Sequence, residues 1–213
     1  MSSEVKANKV SPATGTDFTF GDSGDTFTVP SGATLTVASG GTITNSGTAT
    51  GFPSGLSAAS IWVLTTDFTG DAGPIASNLA VYSGDGYGSL GSAMTESSGI
   101  FTFPSTGYWL IEFNHMMTSG DWDTYGPRIR IQTTTDNSNY TDAAFSKAQG
   151  YGNGASGGNS TSQRCYFLFD ITDTTNCKCK FAVDGTTGSP VMTTKGSSTE
   201  VETSFMFTKL GDT

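Results

Sequence analysis

An eight-residue repeat near the N-terminus restricts the fold of this chain more than any other feature. Residues 24–31, 32–39 and 40–46 align with Gly in the first place, Thr in the third and fifth, and a large apolar residue between the two threonines. Alternation along an extended chain places the apolar residues on one face and the threonines on the other. The apolar face consists of Phe27, Val29, Leu35, Val37 and Ile43.

Three octads are too few to cover this apolar face by themselves. Repeats of this size stack on neighbours, which are either the next repeat or the same repeat of another chain. We predict that residues 18–52 form a short β shaft whose core closes between chains. A homotrimer is the simplest closed arrangement, because cyclic symmetry removes exposed strand edges. The alternative is a Gly- and Thr-rich linker with accidental regularity.

The sequence on either side of the shaft differs from it in composition. Residues 1–17 are polar and without a period, which predicts a flexible N-terminal anchor. Residues 58–213 contain runs rich in aromatic and β-branched residues, and charged residues make up only 14% of the chain. No stretch has the apolar period of a helix. We therefore predict an all-β protein with a jelly-roll sandwich head at 58–213.

Several predicted strands of the head are apolar on both faces, as in residues 108–111 and 166–169. One face fills the sandwich, and the other requires a second cover, which favours a subunit interface. The residues that we predict for the head core or the trimer interface are Phe101, Phe103, Tyr108, Trp109, Ile111, Phe113, His115, Phe167, Phe169, Phe205 and Phe207.

Charge and hydropathy exclude several classes of partner. The chain has 10 Lys and Arg against 19 Asp and Glu, a net charge of −9, which disfavours nucleic acid as a partner. No apolar run is long enough for membrane insertion, and no apolar segment typical of a secretory signal follows the first residues, so we expect synthesis in a cytosol.

Cysteine and histidine give no metal or cofactor prediction. The three cysteines, Cys165, Cys177 and Cys179, alternate with apolar residues, and we predict buried free thiols. With one histidine and no CxxC pair, a zinc site lacks ligands. The pairs Asp67 with Asp71 and Asp170 with Asp173 lack the ligand density of a calcium loop, so no metal is assigned.

Two loops carry residues suited to recognition. Asp121, Trp122, Asp123 and Tyr125 combine acidic and aromatic side chains in one loop, and Tyr151 lies in a Gly-rich loop. We interpret these residues as contacts for a host-surface glycan or protein receptor. Two alternatives remain: a solvated loop without a ligand, and a carboxylate pair of the kind that inverting glycosidases use.

Two segments carry a resemblance to a known family. Residues 99–113, Gly-Ile-Phe-Thr-Phe-Pro-Ser-Thr-Gly-Tyr-Trp-Leu-Ile-Glu-Phe, resemble the signature hairpin of the complement-q globular head, a relative of the tumour-necrosis-factor jelly roll. Residues 204–210 resemble the closing strand of that family. The resemblance covers about residues 60–210, and it implies a ten-stranded jelly roll that assembles as a compact trimer.

The flanking sequence resembles a particular setting of this head. Residues 64–71 and 91–98, behind the octads, are similar to heads of fibre and virion-surface proteins of tailed phages, particularly marine phages. The collagenous Gly-x-y stalk of animal members is missing. The resemblance implies a location on the virion surface after synthesis in the host cytoplasm, with other virion proteins bound through the N-terminus.

From these observations we predict a non-enzymatic, homotrimeric fibre for host attachment, either a tail fibre or a head fibre. Three alternatives remain open: a capsid decoration protein, a tailspike-like polysaccharide-degrading enzyme that uses Asp121 and Asp123, and a secreted trimeric ligand of the animal type.

Overall fold

The computed structural model describes residue 14 and residues 23–44, 56–119, 126–148, 159–186 and 192–213. Chain contacts divide the protein into two compact units, Met1–Gly51 and Phe52–Thr213. Within the described ranges all regular structure is β, in two antiparallel sheets. Among these residues there is no helix with the length and hydropathy needed to cross a bilayer.

The second unit, the head, contains twelve strands in its described part. They are β1 Ala58–Leu64, β2 Thr66–Thr69, β3 Leu79–Val81, β4 Thr95–Ser97, β5 Ile100–Thr102, β6 Gly107–Ser119, β7 Arg128–Thr134, β8 Thr141–Lys147, β9 Asn159–Ile171, β10 Lys178–Asp184, β11 Thr193–Ser197 and β12 Ser204–Gly211. This exceeds the ten strands that the resemblance implies, because the segment between β1 and β6 contributes four short strands.

The strands form two sheets in which chain neighbours are often separated. The large sheet has the order β2-β11-β6-β12-β1-β3. β11 and β12 pair with different parts of one edge of β6, and β9 pairs along the opposite edge. The small sheet has the order β4-β5-β10-β7-β8. Every pairing between these strands is antiparallel, and successive strands frequently cross from one sheet to the other. This is the connectivity of a sandwich with a shared apolar interior.

Strict alternation along β6 determines which of its side chains enter the core. From Gly107 to Ser119 every odd-numbered residue is buried, and the residues between them are more accessible. The buried side chains face the small sheet, where Ile129, Ile131 and Phe181 are also buried. A period of two thus fixes which face of each strand enters the core.

Phenylalanine dominates the centre of the sandwich. The ring centroids of Phe181 and Phe205 are 4.4 Å apart, those of Phe113 and Phe205 5.0 Å, and those of Phe101 and Phe207 5.1 Å. Burial of one such side chain contributes about 1.5–3 kcal/mol, and favourable ring geometry adds to it. The rings join both sheets, since Phe101 and Phe181 come from the small sheet and the other three from the large one.

The structure divides the residues predicted for the head core or the trimer interface. Two are not fully buried: Tyr108 is exposed and Phe167 is half-buried against the core. The others lie in the interior and are covered by their own chain, so they leave no apolar surface for a partner: Phe101, Phe103, Trp109, Ile111, Phe113, His115, Phe169, Phe205 and Phe207.

The three cysteines are free and buried, as the alternation predicts. Cys179 is fully buried in the small sheet, and Cys165 lies on the inner face of β9. Burial raises the pKa of the Cys165 thiol to about 12, which outweighs a hydrogen bond from the backbone of Ile131. At neutral pH this thiol is therefore protonated and acts as a small apolar side chain.

Candidate functional site

The octads of the first unit each contain one tight turn. The amide of Ala33 donates to the carbonyl of Pro30 at 3.0 Å, and the amide of Gly41 donates to the carbonyl of Ala38 at 2.8 Å. Gly32 and Gly40, which have φ of +83° and +85°, occupy the third position of these turns. A left-handed third residue is what a type II turn requires, and it explains Gly in the first place of each octad.

Between the turns the chain is extended, but residues 23–44 form no strand with one another. All five apolar residues of the stripe are exposed in the single chain: Phe27, Val29, Leu35, Val37 and Ile43. Leu35 is 64% exposed. Within residues 23–44 the octads of one chain therefore leave their apolar stripe exposed and form no backbone ladder with one another.

A second apolar surface lies on the large sheet, on the side away from the core. Tyr166 and Leu168 on β9 pair with Glu112 and Leu110 on β6. Met206 on β12 pairs with Glu112 from the other side. We call this surface the outer face; its apolar members are Tyr108, Leu110, Tyr166, Leu168 and Met206. Tyr166 is 69% exposed, and Tyr108 and Leu168 are also exposed. A contiguous apolar surface of this kind is typical of an interface rather than of solvated surface.

One ion pair lies within the outer face. Arg164 on β9 contacts the carboxylate of Glu112 on β6, one row from Tyr166. The Glu112 side chain is largely covered, whereas that of Arg164 is more than half exposed. Asp170, which is exposed and lies opposite Tyr108, adds a further charge at the border of this surface. Charged groups of this kind fix register between partners more than they add affinity.

The receptor candidates of the sequence analysis lie outside the described residues. These are Asp121, Trp122, Asp123, Tyr125 and Tyr151. Their assignment as receptor contacts stays a prediction.

The strands that precede and follow these candidate residues have their ends at one end of the sandwich. Ser119 at the end of β6 pairs with Asn159 at the start of β9, and Arg128 at the start of β7 pairs with Lys147 at the end of β8. The amide of Met192 donates to the carbonyl of Thr186 at 3.1 Å, which links the end of β10 to the start of β11 at the same end of the sandwich.

His115 lies inside the sandwich, on the inner face of β6. Its Nε2 is 3.0 Å from the hydroxyl of Thr194 on β11, and its Nδ1 has no hydrogen-bond partner among the described residues. Burial lowers the pKa of His115 to about 4, so the ring is neutral at pH 7. The contact with Thr194 joins β6 to β11 inside the sandwich, so His115 has a structural role there.

Two of the acidic residues considered for calcium, Asp67 and Asp71, accept hydrogen bonds from the protein itself. Asp67 accepts hydrogen bonds from Lys195 and from the amide of Gly196, and these bonds lower its pKa. Oδ1 of Asp71 accepts both the amide and the hydroxyl of Thr186 at 2.8 Å. In the described part of the chain no group of three or more His, Cys, Asp or Glu is placed to hold a metal ion.

Comparison with solved structures identifies the architecture of the head. The chain is similar to Eiger TNF from S. frugiperda, with 11% sequence identity over 73% of this chain and 93% of that chain, and a TM-score of 0.50. The head is a TNF-like jelly roll. The chain is also similar to murine APRIL, with 12% sequence identity over 72% of this chain and 98% of that chain, and a TM-score of 0.44. No protein-family model and no curated protein matches the sequence.

The sequence analysis missed one surface of the jelly roll. On the small sheet, the side away from the core carries Arg128, Arg130, Lys147, Lys178 and Lys180, together with the exposed ring of Phe145. The signal was present in the alternation of Arg128-Ile129-Arg130-Ile131 and Lys178-Cys179-Lys180, where every second residue is basic. Recognising it also requires the pairing of β7 with β10, which the sequence does not state.

Proposed function

We propose that this protein is a homotrimeric, non-enzymatic fibre of a phage virion surface that serves in host attachment. One observation carries the proposal: the two apolar surfaces, the octad stripe and the outer face, are both exposed in the single chain. Copies of the same chain are the cover that this proposal assigns to both.

The outer face supports self-association by its size and chemistry. Tyr and Leu side chains on β6 and β9, with Met206 on β12, give a mostly apolar patch, and aromatic residues are enriched at the centres of protein interfaces. Full burial of a Leu side chain contributes about 1.5–3 kcal/mol. Several such side chains from each copy provide a driving force that scattered exposed leucines do not.

The octad stripe supports three-fold rather than two-fold association. Each octad offers one extended segment with one apolar face, so three copies place Leu35 and its equivalents around a closed core without leaving an open strand edge. The extended segments can then pair between chains, which explains why they form no strand within one chain. A closed trimeric shaft thus accounts for both the apolar stripe and the backbone of residues 23–44.

The assignment to a phage virion rests on the sequence resemblance at residues 64–71 and 91–98 and on the octads in place of a collagenous stalk. In this proposal residues 1–17 bind other virion proteins, and the jelly roll presents the recognition surface to a host glycan or protein. Capsid decoration would use the same trimer at another place on the particle.

The oligomeric state is tested by sedimentation of the purified full chain. We expect a species of three times the chain mass of 22.1 kDa. A single species with the mass of one chain would contradict the proposed trimer. Labelling residues 1–10 and imaging particles then separates a tail fibre, a head fibre and a decoration protein by the position of the label.

The enzymatic alternative has its own test. The protein is incubated with host polysaccharide, and new reducing ends are measured over time. We expect no new reducing ends. If the protein releases reducing ends steadily and the Asp121→Asn variant does not, the protein is a hydrolase and the attachment proposal is wrong.

A further inference from the structure

Positive charge is concentrated on one surface of an acidic protein. Of the eight basic residues in the described part of the chain, five lie on the side of the small sheet away from the core: Arg128, Arg130, Lys147, Lys178 and Lys180. Lys178 is buried among them, and its Nζ donates to the carbonyl of Thr174 at 2.7 Å. We call this surface the cationic face. The remaining three, Arg164, Lys195 and Lys209, are each paired with an acid elsewhere. In a chain of net charge −9, this segregation gives one region an opposite local potential.

The acids on the cationic face do not balance its charge. Asp142 accepts from Arg128 at 2.6 Å and from Arg130 at 3.2 Å, and Asp184 accepts from Arg130 at 2.8 Å. These two carboxylates pair with two guanidinium groups. Among the described residues Lys147 and Lys180 have no carboxylate partner, and the ammonium group of Lys180 lies 4.2 Å from the centroid of the Tyr140 ring. The carboxylates also hold both guanidinium groups in fixed orientations, which reduces the entropy lost when a ligand binds.

An exposed aromatic ring lies at the accessible edge of this surface. Phe145 on β8 is 62% exposed, and the guanidinium of Arg128 lies 4.6 Å from the centroid of its ring. Lys147, the next outward-facing residue of β8, pairs across the ladder with Arg128. A flat apolar ring beside fixed and mobile cations matches a sugar that has an apolar C–H face and an anionic group.

We propose that the cationic face binds an acidic polysaccharide, with the sugar ring against Phe145 and its carboxylate or sulfate groups near Arg128 and Lys147. This inference deepens the proposed function, because it names the chemical class of the host receptor, and it rests on that function for its biological meaning. Charge complementarity distinguishes this ligand from a neutral glycan, which offers no anionic group to the exposed Lys147.

A second copy of the chain is the competing occupant of the same surface. The apolar outer face, which lies on the opposite sheet, is the better match for a copy, since Phe145 is one ring among charges. If a second copy occupied the cationic face, substitutions on this face would alter the oligomeric mass.

The test uses the full chain and three immobilised polymers: a polyuronate, dextran sulfate and neutral dextran. We expect binding to the two acidic polymers, weakening with added salt, and no binding to neutral dextran. Binding to dextran sulfate alone identifies sulfate as the group bound, and binding to the polyuronate alone identifies carboxylate; either result supports the proposal. Equal binding to all three polymers, or to none, overturns it.

Two exposed substitutions and a matched control locate the site. We expect Phe145→Ala to weaken binding about tenfold and Lys147→Gln about fivefold, while Phe145→Tyr retains it. Lys195→Gln removes one positive charge from the other sheet and should leave binding unchanged. Loss of binding in Lys195→Gln equal to that in Lys147→Gln overturns the proposal, because it shows attraction without a site.

Oligomeric mass, measured on each variant, separates this inference from the trimer. If the wild-type protein is a trimer but binds no acidic polymer, the acidic-polysaccharide site is wrong and the trimer stands. If the protein is a monomer that binds acidic polymer through Phe145, the trimer is wrong and the acidic-polysaccharide site stands. If Phe145→Ala and Lys147→Gln change the mass, the surface belongs to an interface between copies and the inference fails.

Discussion

His115 lies directly opposite Gln163 in the ladder between β6 and β9, and both side chains are buried in the jelly roll, at 1% and 7% exposure. Nδ1 of His115 and both amide atoms of Gln163 have no hydrogen-bond partner among the described residues. Two adjacent buried polar groups without partners are costly unless water fills the space between them. A charged His115 would be costlier still, because its ring is buried and none of the described carboxylates contacts it.

The first prediction concerns stability at mildly acidic pH. Burial lowers the pKa of His115 from 6.5 to about 4, so the unfolded chain takes up this proton at a higher pH than the folded chain. The stability is fully present above pH 6.5 and is lost as the pH falls from 6.5 towards 4, by up to about 3 kcal/mol. Urea unfolding measured at pH 7, 5.5 and 4.5 checks this.

The matched variant for this prediction is His115→Gln, which cannot take up a proton. Its stability should be lower at pH 7 but nearly constant between pH 6.5 and 4.5. Acids with lowered pKa values, such as Asp67, titrate below that window and affect both proteins alike. If the wild-type protein and His115→Gln lose stability in parallel, His115 is not the group responsible.

The second prediction compares two phenylalanines at opposite extremes of exposure. Phe101 is fully buried, and its ring packs edge-on against those of Trp62 and Phe181. Phe101→Ala should lower the free energy of unfolding by about 3–5 kcal/mol. Phe145→Ala, which removes the same atoms from an exposed ring, should change it by about 0.5 kcal/mol or less. Similar losses in thermal or urea unfolding of the two variants would contradict the described core.

Much of this core could be predicted from the sequence, because β6 has a strict period of two and few competing patterns. The same period places Tyr108 and Trp109 on opposite faces but does not say which face is inside. Register decides that, and register depends on partners as distant in sequence as Phe205, which pairs with Phe113.

The candidate site was less predictable than the core, for a physical reason. The octad stripe is visible in the sequence because its period is local. The cationic face forms only when three strands pair: Arg130 on β7 lies between Phe145 on β8 and Ala182 on β10. The sequence does not state these pairings. Loop residues such as Trp122 carry no period, so the sequence indicates only their chemistry and not their position.

The third prediction concerns the outer face. Leu168 is exposed in the single chain and lies beside Leu110, so Leu168→Glu should leave the head folded but place a charge in the proposed interface. We expect the trimer to dissociate at micromolar concentration while circular dichroism stays unchanged. Val201→Glu changes a similarly exposed apolar residue outside the outer face and should remain trimeric. A trimeric Leu168→Glu protein would show that the outer face is not the interface.

The fourth prediction separates the two faces of a single octad. Leu35 and Thr34 are adjacent and exposed in the single chain, and alternation points them in opposite directions. In a closed shaft Leu35→Ala should cost about 2–5 kcal/mol per chain, because it leaves a cavity in a core that three copies share. Thr34→Ala faces solvent and should cost about 0.5 kcal/mol or less.

Limited proteolysis of the assembled protein provides the measurement for the octad variants, followed by mass spectrometry of the fragments. Leu35→Ala should make residues 23–44 sensitive to cleavage at temperatures where the wild type and Thr34→Ala resist it, while the jelly roll survives in all three. The difference between two neighbouring residues is what matters, since a flexible linker would be cut equally in every variant. Equal cleavage would therefore contradict the shaft, even if the head alone still formed a trimer.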